Sequence, residues 1–259
     1  QPWKNVGGIK GARASRELMA LNVDTRSALF DAALARRAEE QKAKQHPITI
    51  RYKEHSFDGT AFVTRAVDLF PALAEKNEIN RKQPVVVARV NGRLYDVTRP
   101  FEEDTELELF TFDTPEGKET FWHSSAHLLG AAMETLYHCL LHTGPPTEVD
   151  FFYDAKMPEG AVASESDFKK IAELVDKYHK ERQEFQRVEL SLAEAKEMFG
   201  YNKYKMAILD QLEPTATITA YRCGSFVDLC RGPHISSTAA VQAFKCLSTS
   251  GVHHGGTAN

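Results

Sequence analysis

An α+β architecture in two unequal parts is what the 259-residue sequence predicts. Two observations carry that expectation. Between Ile48 and Phe112, short runs that alternate apolar and polar residues are punctuated by Asp58-Gly59 and Asn91-Gly92, the pattern of strands joined by tight turns. Beyond the charged, turn-rich stretch DTPEGKET (113–120), apolar residues recur at helical spacing in longer segments and strands become sparse. The expected divisions are an N-terminal helical arm over 1–47, a small β-grasp domain over 48–112 and a larger α+β domain over 113–259.

The arm opens on a Gly-rich, loop-like piece and continues as SRELMALNVDTRSALFDAALARRAEEQKAK, where Ala, Leu, Arg, Glu and Lys dominate until Pro47; this predicts a solvent-facing helix. ITIRY (48–52) reads as a strand, with Asp58-Gly59 supplying the turn of a hairpin. A helix follows over TRAVDLFPALAEKN (64–77), kinked or shortened by Pro71, which lacks a backbone donor. PVVVARVNGRLYDVT gives two strands around Asn91-Gly92, a pair that tolerates positive φ, and TELELFTF gives a last strand. Hairpin, helix, hairpin and strand describe a β-grasp-like domain. It carries no catalytic constellation, so binding or positioning is its expected role.

DTPEGKET reads as a linker into a long helix from Trp122 to His142, ended by Thr143-Gly144-Pro145-Pro146. VDFFYDAKM (149–157) is a strand, and ESDFKKIAELVDKYHKERQ (165–183) an amphipathic helix with an acidic first turn. Another helix fits LSLAEAKEMFG, where Ser191 and Glu194 form a capping box. ATITAYRC and SFVDLC are strands around Gly224.

Composition bounds the function. With 42% hydrophobic residues the chain can bury a substantial core, and a mixed charge of net -4 supplies no global field for nucleic acid. RNA contact would rest on local patches. Cys139, Cys223, Cys230 and Cys246 are sparse and follow no disulfide spacing, which predicts reduced thiols and a cytoplasmic location. No apolar run approaches the ~18 residues of a membrane span, so no membrane partner is expected. The chain opens on Gln1, so an upstream segment is expected to be missing.

Two pairs of chemically capable residues stand apart. His123 and His127 in FWHSSAHLLGAAM are four positions apart on a helix, so their imidazoles project to one side, uncrowded by Ser124, Ser125 and Ala126. Alone, HxxxH equally suits a polar helix edge. Cys230 and His234 in CRGPH flank Gly232 and Pro233, in a loop at the end of a strand, where side chains face a cleft. Alone, this is equally a turn with a buried thiol. Taken together, three imidazoles and a thiol suit a tetrahedral zinc set or a water-activating, ester-hydrolysing site. Among the remaining residues, Phe151, Phe152 and Tyr153 read as core strand, Lys169, Lys170, Lys177 and Lys180 as a solvated helix face, and His138, His142 and His179 as helix surface.

HSSAHLLG, the GPP followed by DFFYD, the KYK at 203–205 and VDLCRGPH together resemble the amino-terminal half of threonyl-tRNA synthetase, in that family's order and spacing. INRKQPVVVARVNGRLYDVTRPFEEDTELELF resembles its TGS domain, and the following part its editing domain, shared in ancestry with alanyl-tRNA synthetase. TRSALFD and the DTPEGKETFWHSSAH junction resemble the eukaryotic cytosolic form. The resemblance implies that His123, His127, Lys205, Cys230 and His234 form the editing site, with Tyr153 and Asp228 lining it for substrate. It implies hydrolysis of mischarged Ser-tRNA(Thr), the acceptor end of tRNA(Thr) as partner and no required metal, zinc at His123, His127, Cys230 and His234 being the alternative. A class II catalytic core is expected to be missing, so aminoacylation by this chain alone is not. Asp150 departs from the family's usual glycine, and SGVHHGGTAN from its usual aromatic and arginine. Those departures leave open a non-catalytic tRNA- or partner-binding module, and the donor set a zinc-dependent trans-editing hydrolase.

Overall fold

The computed structural model describes residues 9–80, 82–251, 253–254 and 257–258, with side chains described over 22–80 and 82–251. The expectation for the first residues of the Gly-rich opening lies outside the described residues.

Helix α1 (Ile9–Lys42) leads to a hairpin of β1 (Pro47–Tyr52) and β2 (His55–Thr60). The turn falls at Lys53 and Glu54, not at Asp58-Gly59. Ile48, Ile50 and Tyr52 are all buried, so β1 must run its full length before the chain reverses, which it does with Lys53 at φ 51°. Asp58 and Gly59 then sit inside β2, opposite Thr49 and Ile48. Helix α2 (Ala66–Glu75) contains Pro71 and is shorter than the stretch read from sequence. β3 (Val85–Val90) and β4 (Arg93–Tyr95) join through Asn91 and Gly92, both at positive φ, and β5 (Thr105–Thr111) completes a sheet of order β2-β1-β5-β3-β4. β1 and β5 are parallel; the other pairs are antiparallel. One apolar cluster, including Ile50, Leu73, Ala88 and Phe101, fills the space between sheet and α2.

DTPEGKET is not a linker. Thr114 caps helix α3 (Pro115–Tyr137) by accepting from Gly117 N at 3.1 Å, with Pro115 pre-set at the first helical position. The same helix stops at Tyr137, ahead of His142, because His138 takes the left-handed conformation (φ 53°). Of the strand expected over 149–157, only β7 (Ala155–Lys156) forms, paired with β6 (Leu140–Leu141). α4 (Phe168–Glu181) follows a 3-10 turn at Glu165–Asp167. β8 (Phe185–Leu190) and α6 (Lys203–Leu209) are elements the sequence reading did not contain, while α5 (Leu192–Phe199) has the Ser191–Glu194 capping box. β9 (Ile218–Cys223) and β10 (Phe226–Leu229) pair with β8 in the antiparallel order β10-β9-β8.

α1 is not a solvent-facing arm. Arg26, Phe30 and Ala33 are buried, the last two in the cluster formed by β8, β9, α5 and α6. Arg26 forks onto both carboxylate oxygens of Glu134 at 2.9 and 2.8 Å and donates to Val227 O at 2.7 Å. The stripe escaped the sequence reading because an arginine and an alanine do not mark an apolar face. The first sheet also meets α3 directly: Val86 and Val87 of β3 share a cluster with Leu128 and Ala132.

Candidate functional site

His123 and His127 lie on α3, on the side that faces β8, β10 and the loop after β10. Ser124, between them, is fully buried and fixes the loop: its Oγ donates to Thr120 O at 2.8 Å, accepts from Ile235 N at 3.0 Å and lies 3.0 Å from His234 Nδ1. A hydroxyl has one proton. Given to Thr120 O, it requires Nδ1 of His234 to be the protonated nitrogen, which leaves Nε2 to accept from the Cys230 thiol 3.1 Å away. Cys230 Sγ is also 3.2 Å from His123 Nε2. The helical pair and the loop pair thus meet at the sulfur.

Gly232, at φ +67°, carries the loop over Tyr221, whose hydroxyl would lie 2.0 Å from any Cβ there. No other residue fits that bend.

The opposite wall is charged. Asn202 caps α6 by accepting from Tyr204 N and Lys205 N at 3.0 and 3.4 Å, which turns Lys205 inward. Lys205 Nζ pairs with Asp228 Oδ1 at 2.7 Å, and Asp228 Oδ2 accepts a short hydrogen bond from the Tyr153 hydroxyl. Leu229 N also donates to Asp228 Oδ1, at 2.8 Å, so Oδ2 alone keeps a free lone pair. The Tyr153 ring is clamped by two glycines: a Cβ at Gly130 or Gly144 would come within 2.6 or 2.3 Å of it. The Gly144 of TGPP is therefore a packing surface rather than a helix stop.

Between these walls is a cavity of about 610 Å³ lined by His123, His127, Tyr153, Lys205, Asp228 and Cys230. His234 is buried behind Cys230 and supports the wall without lining it. His142, read as helix surface, lines the cavity with Thr143 because α3 ends before it. Phe151 packs on Trp122 with ring centroids 5.8 Å apart, whereas Phe152 is 44% exposed, contrary to the core reading.

Burial dominates the electrostatics. It lowers the pKa of His123, takes His127 down to about 3 and takes His234 well below the usual imidazole value, so all three rings are neutral near pH 7. It pushes the Cys230 thiol up to about 12. Burial also pushes the Asp228 carboxyl upward, but the Lys205 ammonium, His127 and the hydrogen bonds outweigh it and hold the group below its ordinary value. His127 Nε2 is buried without a hydrogen-bond partner among the described residues, on a side chain that borders the cavity.

For zinc, the donor atoms of His123, Cys230 and His234 lie within 4.8 Å of one another, which suits a three-ligand site with an open position. His127 is outside this group, so the four-ligand set becomes three. The Asp228 carboxylate, paired with Lys205, offsets part of the charge repulsion that a free ammonium would exert on a dication.

Sequence reasoning missed Ser124, His142, Tyr221 and Asp96, the last a residue of the first sheet region that reaches His234. Only Ser124 carried a signal, being a hydroxyl between two histidines.

Residues 218–257, which include Asp228, Cys230 and His234, match the family described as the threonyl and alanyl tRNA synthetase second additional domain. The human cytoplasmic threonine--tRNA ligase 1 is 44% identical over 174 residues, 67% of this chain and 24% of that protein. A cytoplasmic threonine--tRNA ligase 2 from Xenopus tropicalis is 38% identical over 234 residues, covering 88% of this chain and 27% of its own length. The mitochondrial threonine--tRNA ligase 1 of Arabidopsis thaliana is 37% identical over 235 residues, covering 89% and 32%. The chain spans between about a quarter and a third of the length of these relatives. Over most of its length it is therefore a homologue of the threonine--tRNA ligases, and residues 218–257 match the second additional domain of the threonyl and alanyl tRNA synthetases.

Proposed function

We propose that this chain is the TGS and editing portion of a threonyl-tRNA synthetase and hydrolyses the seryl ester of Ser-tRNA(Thr). The observation that carries the reading is the convergence of His123, His127, Lys205, Asp228 and Cys230 on one cavity. Threonine and serine differ by one methyl group, worth about 1–3 kcal/mol of discrimination in a binding pocket. A second sieve is the physical remedy, and the relatives are threonine--tRNA ligases by name. The parallel β1–β5 pair at the centre of the sheet supports reading 48–112 as the TGS β-grasp domain. The domain divisions 1–47 and 113–259, a cytoplasmic location and tRNA(Thr) as partner belong to the same reading.

In the reaction, water adds to the seryl carbonyl carbon, the ester C–O bond breaks, and serine and a tRNA with a free ribose hydroxyl leave. The neutral His123 and His127 hold the water, and one takes its proton as the C–O bond forms. Lys205 stabilises the developing oxyanion and the leaving ribose oxygen. The free lone pair on Asp228 Oδ2 accepts from the seryl hydroxyl or ammonium, with Tyr153 closing the wall. Cys230 shapes the pocket as a neutral thiol and is not the nucleophile, since burial works against its thiolate.

A second reading has zinc held by His123, Cys230 and His234, supported by the closeness of their donor atoms. Bound there, zinc would lower the pKa of a water or polarise the ester carbonyl. The test is deacylation of Ser-tRNA(Thr), with Thr-tRNA(Thr) as the discriminating substrate. A rate no faster than buffer would leave the binding-module reading for the isolated chain.

A further inference from the structure

We propose that Asp96, supplied by the first sheet region, is a positioning residue for the hydrolytic loop 230–234, so that the small domain completes the support of the editing site. The activity part of this inference rests on the reading just given. Asp96 directly follows β4 and is 6% exposed. Its Oδ1 accepts from the backbone N–H of His234 at 2.8 Å, and its Oδ2 accepts from the Tyr221 hydroxyl at 2.8 Å. These partners lie 138 and 125 residues away in sequence.

The two bonds grip the loop at its tightest point. Tyr221 is on β9 and packs edge-on against the His234 ring, centroids 4.7 Å apart. Gly232 crosses directly over its hydroxyl. Asp96 therefore holds both the platform beneath the loop and the residue after the bend. Through His234 the grip passes to Ser124 Oγ at 3.0 Å on one side and to Cys230 Sγ at 3.1 Å on the other. Lose it, and nothing else in this set holds the His234 amide.

A buried carboxyl is costly unless its hydrogen bonds are made, and mere adhesion between two parts is more cheaply obtained with the apolar contacts that Val86, Val87 and Leu128 already provide. The carboxyl spends its acceptors on the site loop instead. That choice separates a positioning role from packing.

The experiment uses full-length chains carrying Asp96→Ala, Asp96→Asn and Tyr221→Phe. Single-turnover and steady-state deacylation of Ser-tRNA(Thr), thermal melting, and the rate at which iodoacetamide labels Cys230, located by mass spectrometry, are measured on each. Asp96→Ala should lower kcat on the order of 10- to 100-fold, the range for residues that orient active-site ligands, with KM for tRNA within about twofold. Asp96→Asn should recover most of that loss, because its carbonyl oxygen still accepts from His234 N–H. Wild-type kcat in folded Asp96→Ala, or a loss that Asp96→Asn does not restore, would overturn the inference. If Asp96→Ala does not fold, Tyr221→Phe decides: kcat several-fold lower at unchanged KM supports positioning, and wild-type kcat overturns it. Should the wild type itself not deacylate, the proposed function fails, and alkylation still decides: Asp96→Ala, or Tyr221→Phe in its place, must accelerate Cys230 labelling relative to Cys246.

Discussion

Lys205 Nζ stands 2.7 Å from Asp228 Oδ1, with the two side chains only 3% and 8% exposed. Each charge is tolerated because of the other. Burial alone would push the Asp228 carboxyl up, and the lysine is the leading influence that holds it ionised. Removing one partner is therefore worse than removing both. Lys205→Ala should destabilise the fold by about 3–5 kcal/mol in urea titration, whereas Lys205→Met combined with Asp228→Asn should lose distinctly less. Additive losses would contradict the pairing.

The buried histidines give stability a direction with pH. In the unfolded chain they titrate near 6.5, and in the fold burial holds them below this, with His127 at about 3. Below pH 6.5 the unfolded state binds more protons, so stability falls as pH falls. For His127 the loss between pH 6.5 and 5 is about 2 kcal/mol, from about 1.4 kcal/mol per unit. Asp96 and Glu134, raised by burial, act in the opposite sense, so the measurable quantity is a difference between proteins. On chelator-treated samples, His127→Asn should have a shallower stability decline over this window than wild type; equal slopes would contradict the neutral buried ring.

Metal dependence separates the two hydrolytic readings. Dialysis against a strong chelator should leave the Ser-tRNA(Thr) deacylation rate unchanged, and inductively coupled plasma analysis of the active protein should find less than stoichiometric zinc. Activity lost on chelation and regained with zinc would replace the water-only reading by one based on His123, Cys230 and His234.

α1 is tied to the site wall through Arg26, whose bond to Val227 O is adjacent to Asp228 on β10. Arg26→Ala leaves Glu134 buried without its partner and should cost about 3–5 kcal/mol in denaturant unfolding. A change below about 1 kcal/mol would mean that the helix is only loosely attached.

What the sequence made legible followed from local rules. Asn91-Gly92 marks its own turn because few residues accept positive φ there, and Ser191–Glu194 caps α5 through bonds made within four residues. The His123 and His127 pair could be put on one helix face by spacing alone. What stayed hidden was decided across the fold. The turn at Lys53 depends on which side of β1 is buried, and the burial of Arg26 depends on Glu134, 108 residues away. Asp96 looks like any acidic residue after a strand until the chain brings His234 to it. Lys205 and Asp228 were reached through resemblance to a family; their pairing was not visible in spacing of any kind.

The most direct measurement compares release of serine from Ser-tRNA(Thr) with release of threonine from Thr-tRNA(Thr), using wild type, His123→Ala and Cys230→Ala. Rapid serine release by the wild type, much slower threonine release and a loss of about 100-fold or more in His123→Ala are the predicted results, with a smaller loss for Cys230→Ala. Serine release at the buffer rate, or a fully active His123→Ala protein, would contradict the account of this cavity as a hydrolytic site.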